Sequence, residues 1–471
     1  MKYTIRICVL AMISSGAFAQ ISTSEPPRLG NEMIYTFSKA VSALPFVGLT
    51  NKTEVLDGTG INPGNLGGFF PRTRPLGASL AVQLSLLPLT TPASGVVFKE
   101  DPITGAILPS SQSLGPILTE RAETIGKGRF YISQSRQQFN FSQLDGKPLS
   151  NMILLYPGGE STQVTQNGVA QTTSPATIGV SVNIRLDQNV TAFTYGLSNR
   201  VDISAGLSWI HSSMSVSARD ARIFNNGDPA RGGTCWCAQT LNSQASLSDL
   251  ENFGRAGFTV PGVFGSAGSS SSGIGDTLLR IKGVVAEGRN YTIATGTEFR
   301  LPTGDATNLH GSGAFGAKPF VAMSLPGAKL RSISIAPQFS AGYQVNGSSI
   351  LAGDIVANRK ARLPGQLHWS AGATVGINSR ISYVVDFIGM RMSSVERLVD
   401  ASVAGRGEGV PTAVGSVISA SKQALQMNSA SFGFKWKAFS NVVVTANMLT
   451  ALDSNGMRDR VVPMVAIGYA F

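Results

Sequence analysis

The chain has 471 residues, of which 14% are charged and 53 are glycine, and its formal net charge at pH 7 is +11. This length would suggest about three soluble domains, but strand-like alternation recurs through most of the chain and favours one large all-β domain. A basic balance can indicate nucleic-acid binding. The sequence has no basic run and no basic patch interleaved with aromatic residues, so nucleic acid is not an expected partner.

Residues 1–19 have the pattern of a secretory signal peptide. Lys2 and Arg6 precede an apolar run over residues 7–13, and small residues lead to Ala19, which predicts cleavage before Gln20. The run is shorter than the about 20 apolar residues that a membrane-spanning helix needs. We therefore expect an exported chain without a membrane-spanning helix.

Residues 20–125 are rich in turn formers and contain one apolar stretch, residues 78–87, that suits either a strand or a short amphipathic helix. We interpret this region as a periplasmic segment or a plug that fills the lumen of a barrel. The alternative is that it contributes two more wall strands.

Residues 126–471 have the period of two that is typical of β-strands. In residues 367–377, for example, Leu367, Trp369 and Val375 share one parity, while His368, Ser370 and Thr374 share the other. The predicted strands are 126–142, 178–197, 201–212, 277–285, 291–301, 320–325, 333–345, 367–377, 381–392, 430–438, 442–452 and 461–471. We therefore predict an antiparallel up-and-down β-barrel of about 12 strands, or 14 if residues 20–125 supply two.

The apolar parity changes within the second predicted strand. Apolar residues lie at even positions from Ile178 to Leu186 and at odd positions from Phe193 to Leu197. Such a change fits a β-bulge in one strand or a two-residue hairpin at residues 187–189.

The connections between predicted strands alternate in length. Short connections at 286–289, 326–329, 378–380 and 440–441 alternate with long ones at 213–275, 347–365 and 395–428. Outer-membrane barrels have short periplasmic turns and longer external loops. The last strand runs from Val461 to Phe471 with large apolar residues at alternate positions, and it resembles the targeting signal of these barrels. Tyr469 and Phe471 are the predicted assembly signal, and we expect the cell outer membrane as the location.

Four stretches resemble the outer-membrane family labelled putative meta-pathway of phenol degradation. They are residues 195–202 (YGLSNRVD), 273–282 (GIGDTLLRIK), 299–306 (FRLPTGDA) and 311–313 (GSG). The resemblance covers about residues 126–471, and it implies kinship with the long-chain fatty-acid channels, which import hydrophobic molecules through a barrel plugged by an amino-terminal hatch. Residues 62–64 (NPG) are similar to the Asn-Pro-Ala motif of that hatch but differ at the third residue.

Charged and polar side chains on the non-apolar parity are predicted to line the lumen, because Arg or Lys on the lipid face would cost about 2–4 kcal/mol at the midplane. They are Arg185, Asp202, Arg280, Lys282, Glu298, Arg300, His368, Asp386, Lys435 and Lys437. They suit either permeation or pairing across the interior that only stiffens the barrel.

We expect no enzyme, no metal site and no cofactor. His211 precedes Ser212, but adjacent residues of a strand face opposite ways, which does not suit a nucleophile and its base. The three histidines, His211, His310 and His368, are too far apart in sequence to suggest a metal site.

Two cysteines and one proline stand out. Cys235 and Cys237 lie in the longest predicted external loop and are a candidate disulfide, although one intervening residue makes a strained ring. Pro337 lies in the middle of a predicted strand, where it has no N–H for the ladder. By analogy with the fatty-acid channels it is the candidate lateral exit; the alternative is a bulge that only bends the wall.

The expected function is a channel for passive uptake of small hydrophobic or aromatic compounds. The alternatives are a structural or adhesive barrel without transport, and an outer-membrane hydrolase. The expected partners are outer-membrane lipid and lipopolysaccharide, the barrel-assembly machinery and a small hydrophobic solute, with the chain acting as a monomer.

Overall fold

The computed structural model describes the chain at residues 32–36, 40, 98–100, 107–109, 114, 116–156, 164–166, 169–171, 176–223, 258–330, 333–354, 359–378, 380–404, 414–439 and 441–471. Twelve antiparallel strands close into a barrel in this part of the chain. They are β1 (Phe130–Phe141), β2 (Ala176–Ser198), β3 (Val201–Ile223), β4 (Thr277–Gly288), β5 (Tyr291–Leu301), β6 (Gly316–Ser324), β7 (Ile333–Asn346), β8 (Gln366–Gly376), β9 (Ile381–Ala404), β10 (Val414–Lys437), β11 (Val442–Ala451) and β12 (Val461–Ala470).

The barrel closes where its first strand meets its last. Ile132 of β1 is paired with Tyr469 of β12, and the other edge of β1 pairs with β2 over its whole length. Closure leaves no free strand edge in the wall, which a membrane requires because lipid cannot bond to exposed backbone groups. The predicted all-β barrel of 12 strands is confirmed.

Further elements of the described residues are not among the twelve barrel strands, although some of them pair with these strands. They are a 3-10 helix at Met33–Tyr35 and the strands Phe98–Glu100, Ile107–Pro109, Gln143–Leu144, Lys147–Pro148, Met152–Tyr156, Val164–Gln166, Val169–Gln171, Phe258–Ile274, Ala328–Leu330, Ser348–Asp354, Arg359–Arg362 and Met457–Arg458. Helices that could span a membrane are absent from the described residues.

The two parities of each strand separate lipid-facing from lumen-facing side chains. On β10, Phe432, Phe434 and Trp436 are exposed, while Ser431 and Lys435 of the alternate parity are buried. Exposed aromatic and aliphatic residues repeat in this way around the wall, which is the outward apolar band of a transmembrane barrel. The described part of the chain therefore has the architecture of a transmembrane β-barrel.

The change of apolar parity in β2 comes from neither a bulge nor a hairpin. β2 and β3 stay paired in one register from Asp202–Gly196 to Arg219–Gly179. The even residues of β2 face inward throughout, so Ile184 and Leu186 are buried inside the barrel, while Phe193 and Tyr195 face outward. The apolar face changes because the upper part of the strand has left the hydrocarbon core of the membrane: its outer side meets polar surroundings and its inner side meets packed protein.

The connections on one end of the barrel are short, and those on the other end carry further strand structure. β3 continues beyond the membrane and pairs with Phe258–Ile274. β9 and β10 remain paired to Ala404–Val414. The predicted long loops 213–275 and 395–428 therefore contain strand extensions. The long side faces outward by the rule for these barrels.

Several predictions fall outside the described residues. These are the signal peptide at 1–19, the stretch 78–87, the NPG motif at 62–64 and the cysteine pair Cys235 and Cys237.

The ladder on one edge of β7 is interrupted near two prolines, the expected Pro337 and also Pro319. Near Pro337, pairing stops at Ser324–Gln338 and resumes at Ala328–Ile335. The carbonyl of Pro337 still accepts a hydrogen bond from Leu325 N at 3.0 Å, and its other edge is paired with Ala373 of β8. Pairing of β6 with β7 also skips Lys318 and Pro319, between the pairs Ala317–Val345 and Phe320–Gly342. The interruption at Pro337 thus lies where β6 ends, and the one at Pro319 lies within the length of β6.

Candidate functional site: the barrel lumen

Leu114 and residues 116–125, here called the lumen segment, lie inside the barrel immediately before β1. Ile117, Glu120, Arg121, Ala122 and Ile125 are all buried. The segment has no helix or strand of its own, so its backbone N–H and C=O groups need partners elsewhere. Inward-facing side chains of the wall supply these partners.

β9 and β10 hold the beginning of the lumen segment. Asp386 accepts hydrogen bonds from Ile117 N at 3.3 Å and Leu118 N at 3.0 Å. Lys435 donates to the carbonyl of Leu114 at 3.2 Å and also to that of Pro116. One wall carboxylate and one wall ammonium thus satisfy the backbone of the segment with charge-assisted hydrogen bonds.

β3 and β4 hold the end of the segment in the same way. Lys282 donates to the carbonyls of Arg121 at 3.0 Å and Glu123 at 2.9 Å. Asp202 accepts from Ile125 N at 3.0 Å. These contacts are to backbone groups, so they depend little on the sequence of the segment.

Glu120 is the side chain of the segment that the wall binds most strongly. It forms ion pairs with Arg280 and, at 3.1 Å, with Lys282. Burial would raise the pKa of Glu120, but these two cations outweigh burial, and the pKa lies below its ordinary value. Arg280 also pairs with Glu298, which accepts from Lys318 at 2.7 Å. The cluster is therefore a line of five alternating charges from Lys282 to Lys318.

Above this cluster lies a polar chamber with a volume of about 190 Å³. Its lining includes Glu120, Arg280, Glu298, Arg300, His310 and His368. The Gly-rich loop of residues 302–315 contributes His310 and Gly311 to this lining. Asp276 fixes the loop by accepting hydrogen bonds from Ser312 N at 2.9 Å and Gly304 N at 3.2 Å. His310 of that loop is buried, which lowers its pKa, and its Nε2 has no hydrogen-bond partner among the described residues.

A second chamber, of about 100 Å³, adjoins the first and is mainly apolar. Its lining includes Phe139, Phe141, Met390, Met427, Met457, Leu449 and Val462. The rings of Phe139 and Phe141 are stacked with centroids 5.9 Å apart. His368 and Ile388 line both chambers, so an apolar space and a charged space lie side by side in one lumen.

The ten predicted lumen residues occupy four kinds of position. Five of them touch the lumen segment: Asp202, Arg280, Lys282, Asp386 and Lys435. Glu298, Arg300 and His368 line the polar chamber, and Lys437 lies near the short-turn end of β10. Arg185 differs from the expectation: its side chain is 45% exposed on the outward parity of β2, beside Asp187, because the polar face of that strand changes above the membrane.

The terminal aromatic residues sit at the seam of the barrel. The ring centroid of Phe471 lies 4.5 Å from that of Tyr469 and 5.6 Å from that of Phe130. Phe471 N donates a hydrogen bond to the Phe130 carbonyl at 2.8 Å. The carboxyl terminus thus joins the first strand to the last.

The Ser–His neighbours do not form a catalytic pair. His211 Nδ1 lies 2.7 Å from Ser272 Oγ on the outward side, whereas Ser212 faces inward and donates to the Asn308 carbonyl. No group of three His, Cys, Asp or Glu residues that could hold a metal ion occurs among the residues that the structure describes.

No protein-family model matches the chain, and no curated protein matches it. Among solved structures, the chain is similar to the COG4313 outer membrane channel from Pseudomonas putida F1, with 10% identity, a TM-score of 0.40 and coverage of 74% of this chain and 98% of that one. It is also similar to the TodX monoaromatic hydrocarbon channel deltaS2 mutant, with 8% identity, a TM-score of 0.31 and coverage of 74% and 92%. It is similar as well to the CymD monoaromatic hydrocarbon channel, with 9% identity, a TM-score of 0.29 and coverage of 74% of this chain and 89% of that one. The likeness to the phenol-degradation family remains a resemblance.

Proposed function

We propose that the barrel is an outer-membrane channel for small hydrophobic or aromatic compounds. The supporting observation is the apolar chamber. Methionine side chains are flexible and polarisable, and they pack against rings of varied shape, while Phe139 and Phe141 offer aromatic faces. For scale, an engineered protein cavity of about 150 Å³ binds benzene. This chamber has about 100 Å³, so we expect binding of a single ring to require movement of the methionine side chains.

A solute in the apolar chamber has two ways onward. The downward way passes the charged cluster and the lumen segment. The sideways way leads through the wall at Pro319, where Lys318 and Gln344 line the polar chamber on either side of the ladder gap. Since an apolar ring loses nothing by entering lipid, we propose the lateral exit at this gap, and the interruption at Pro337 is the alternative.

A cavity-filling pair of variants tests the proposed function. Ala451 lines the apolar chamber from β11, and Ala451→Phe should fill it and lower uptake of toluene severalfold in cells that depend on this channel. Ala446→Phe adds the same ring to the lipid-facing parity of the same strand and should leave uptake unchanged. Heat-modifiable gel mobility confirms that both barrels are folded.

The charges of the polar chamber favour a second candidate, a pore for small polar solutes. In that case liposome swelling with a small amino acid should fall in Ala451→Phe as much as toluene uptake does. Equal toluene uptake by Ala451→Phe and Ala446→Phe would refute the role of the apolar chamber. Adhesion without transport predicts that deleting the protein leaves toluene uptake unaltered.

A further inference from the structure

The apolar band is interrupted on one side of the barrel. The outward residues of β12 are apolar from Val461 to Phe471. On the adjoining face of β1, however, Gln134 lies opposite Ile467 and Arg136 opposite Val465. The polar outward side chains of β1 and β2 form a group that we call the outer-wall patch: Gln134, Arg136, Gln138, Asn140, Arg185, Asp187, Asn189 and Thr191.

The outer-wall patch lies at the extracellular edge of the membrane. Asn189 pairs directly with Trp209 of β3, the last outward aromatic residue of that strand before His211. Aromatic residues mark the membrane boundaries of these barrels. The upper part of the patch therefore lies at the level of the lipid headgroups, and Gln134, which accepts a hydrogen bond from Thr191, lies below it.

The charges of the patch are not balanced. Arg185 is held by Asp187, with Nε 3.0 Å from Oδ2. Arg136 approaches the same carboxylate only to 4.0 Å, and its side chain is 63% exposed. Two guanidinium groups thus share one carboxylate, which leaves one positive charge in excess. The Arg136 side chain is therefore exposed at the level of the lipid headgroups, where phosphate groups are the anions within reach.

We propose that the outer-wall patch binds a phosphate group of lipopolysaccharide in the outer leaflet. Guanidinium matches phosphate in geometry and bonds to it through two N–H groups. A second copy of this chain is a poorer occupant, because a two-fold interface would place the patch against itself and bring two surfaces of like charge together. The inference is independent of the proposed transport function.

Lipid binding to the purified folded barrel tests the proposal, with bisphosphorylated lipid A as the probe and dephosphorylated lipid A beside it. Native mass spectrometry should show that the parent binds the phosphorylated form at least about tenfold more tightly. Arg136→Gln combined with Arg185→Gln should remove this preference. Arg391→Gln is the matched control, because Arg391 is also exposed on the outward parity near the extracellular edge, but on β9.

Arg136→Gln alone provides a second variant if loss of Arg185 destabilises the barrel by leaving Asp187 buried without its closest partner. It should still weaken binding of phosphorylated lipid A severalfold. The proposal is overturned if the parent binds the two forms of lipid A equally, or if Arg391→Gln weakens binding as much as Arg136→Gln. Disulfide-linked dimers of Gln138→Cys in native membranes would also overturn it, since they would place a second copy on the patch.

Discussion

Replacing Lys282 by methionine should loosen the lumen segment without opening the wall. The Lys282 ammonium is almost fully buried and donates to two backbone carbonyls and to Glu120. Methionine fills similar space but donates nothing. Each buried acceptor left without a donor costs about 1–3 kcal/mol, so the two carbonyls alone give about 2–6 kcal/mol. Water from the polar chamber will relieve part of this cost, and the lower bound of about 2 kcal/mol corresponds to a roughly 30-fold shift toward the unseated segment.

Single-channel recording in planar bilayers measures this shift as time spent at higher conductance. Lys437→Met removes the same charge from the same face of the barrel, but no contact of the Lys437 side chain with the lumen segment occurs among the described residues, so its recordings should match those of the parent. Heat-modifiable mobility should be the same for all three proteins. If folded Lys282→Met opens no more often than Lys437→Met, the hydrogen bonds of Lys282 do not hold the segment in place.

Three further predictions concern the seam, the wall gap and the charged cluster. Phe471→Ala should lower the amount of folded barrel in outer-membrane fractions, because it removes the ring packed on Phe130; unchanged levels would contradict this role. Pro319→Val should restore pairing of β6 with β7 and slow toluene uptake, whereas Pro337→Val should not, and equal uptake by both would place the exit elsewhere. The pKa of Glu120 is lower in the folded protein than in the unfolded chain. The ion pairs of Glu120 therefore hold the lumen segment in place at any pH above the ordinary glutamate pKa, and they are lost only as the pH falls through the lowered pKa. Conductance should therefore stay constant from about pH 7 to about pH 5 and rise at lower pH, and Glu120→Gln should abolish that rise.

The wall of the barrel could be predicted from the sequence because one rule, the period of two, determines it. Residues 367–377 alternate without exception, and in the structure Leu367 and Ile377 are exposed while Thr374 and Gly376 are buried, as that alternation requires. The same rule misled us at β2, where the apolar parity changes while the strand does not. Alternation reports which face meets apolar surroundings, and that face changes where a strand leaves the membrane.

The partners of the lumen charges could not be predicted in this way. The alternation correctly predicted that Lys282 and Lys435 face the lumen. Their acceptors, however, are backbone carbonyls, which every residue has, so the amino-acid sequence carries no signal for them. Lys435 and Leu114 are also 321 residues apart. The apolar chamber was missed for a related reason: Met390, Met427 and Met457 come from separate elements, and only the fold brings them together.

The lumen segment has a consequence for the order of assembly. It ends at Ile125, and β1 begins at Phe130, so the segment and the first side of the seam are almost one piece of chain. Chains do not thread through closed rings during folding, and the seam closes only when β12 meets β1. The segment must therefore settle against β3, β4, β9 and β10 while the sheet is still an open trough. Its docking sites would then serve as a template that brings the two distant sides of the trough together before the final ladder forms.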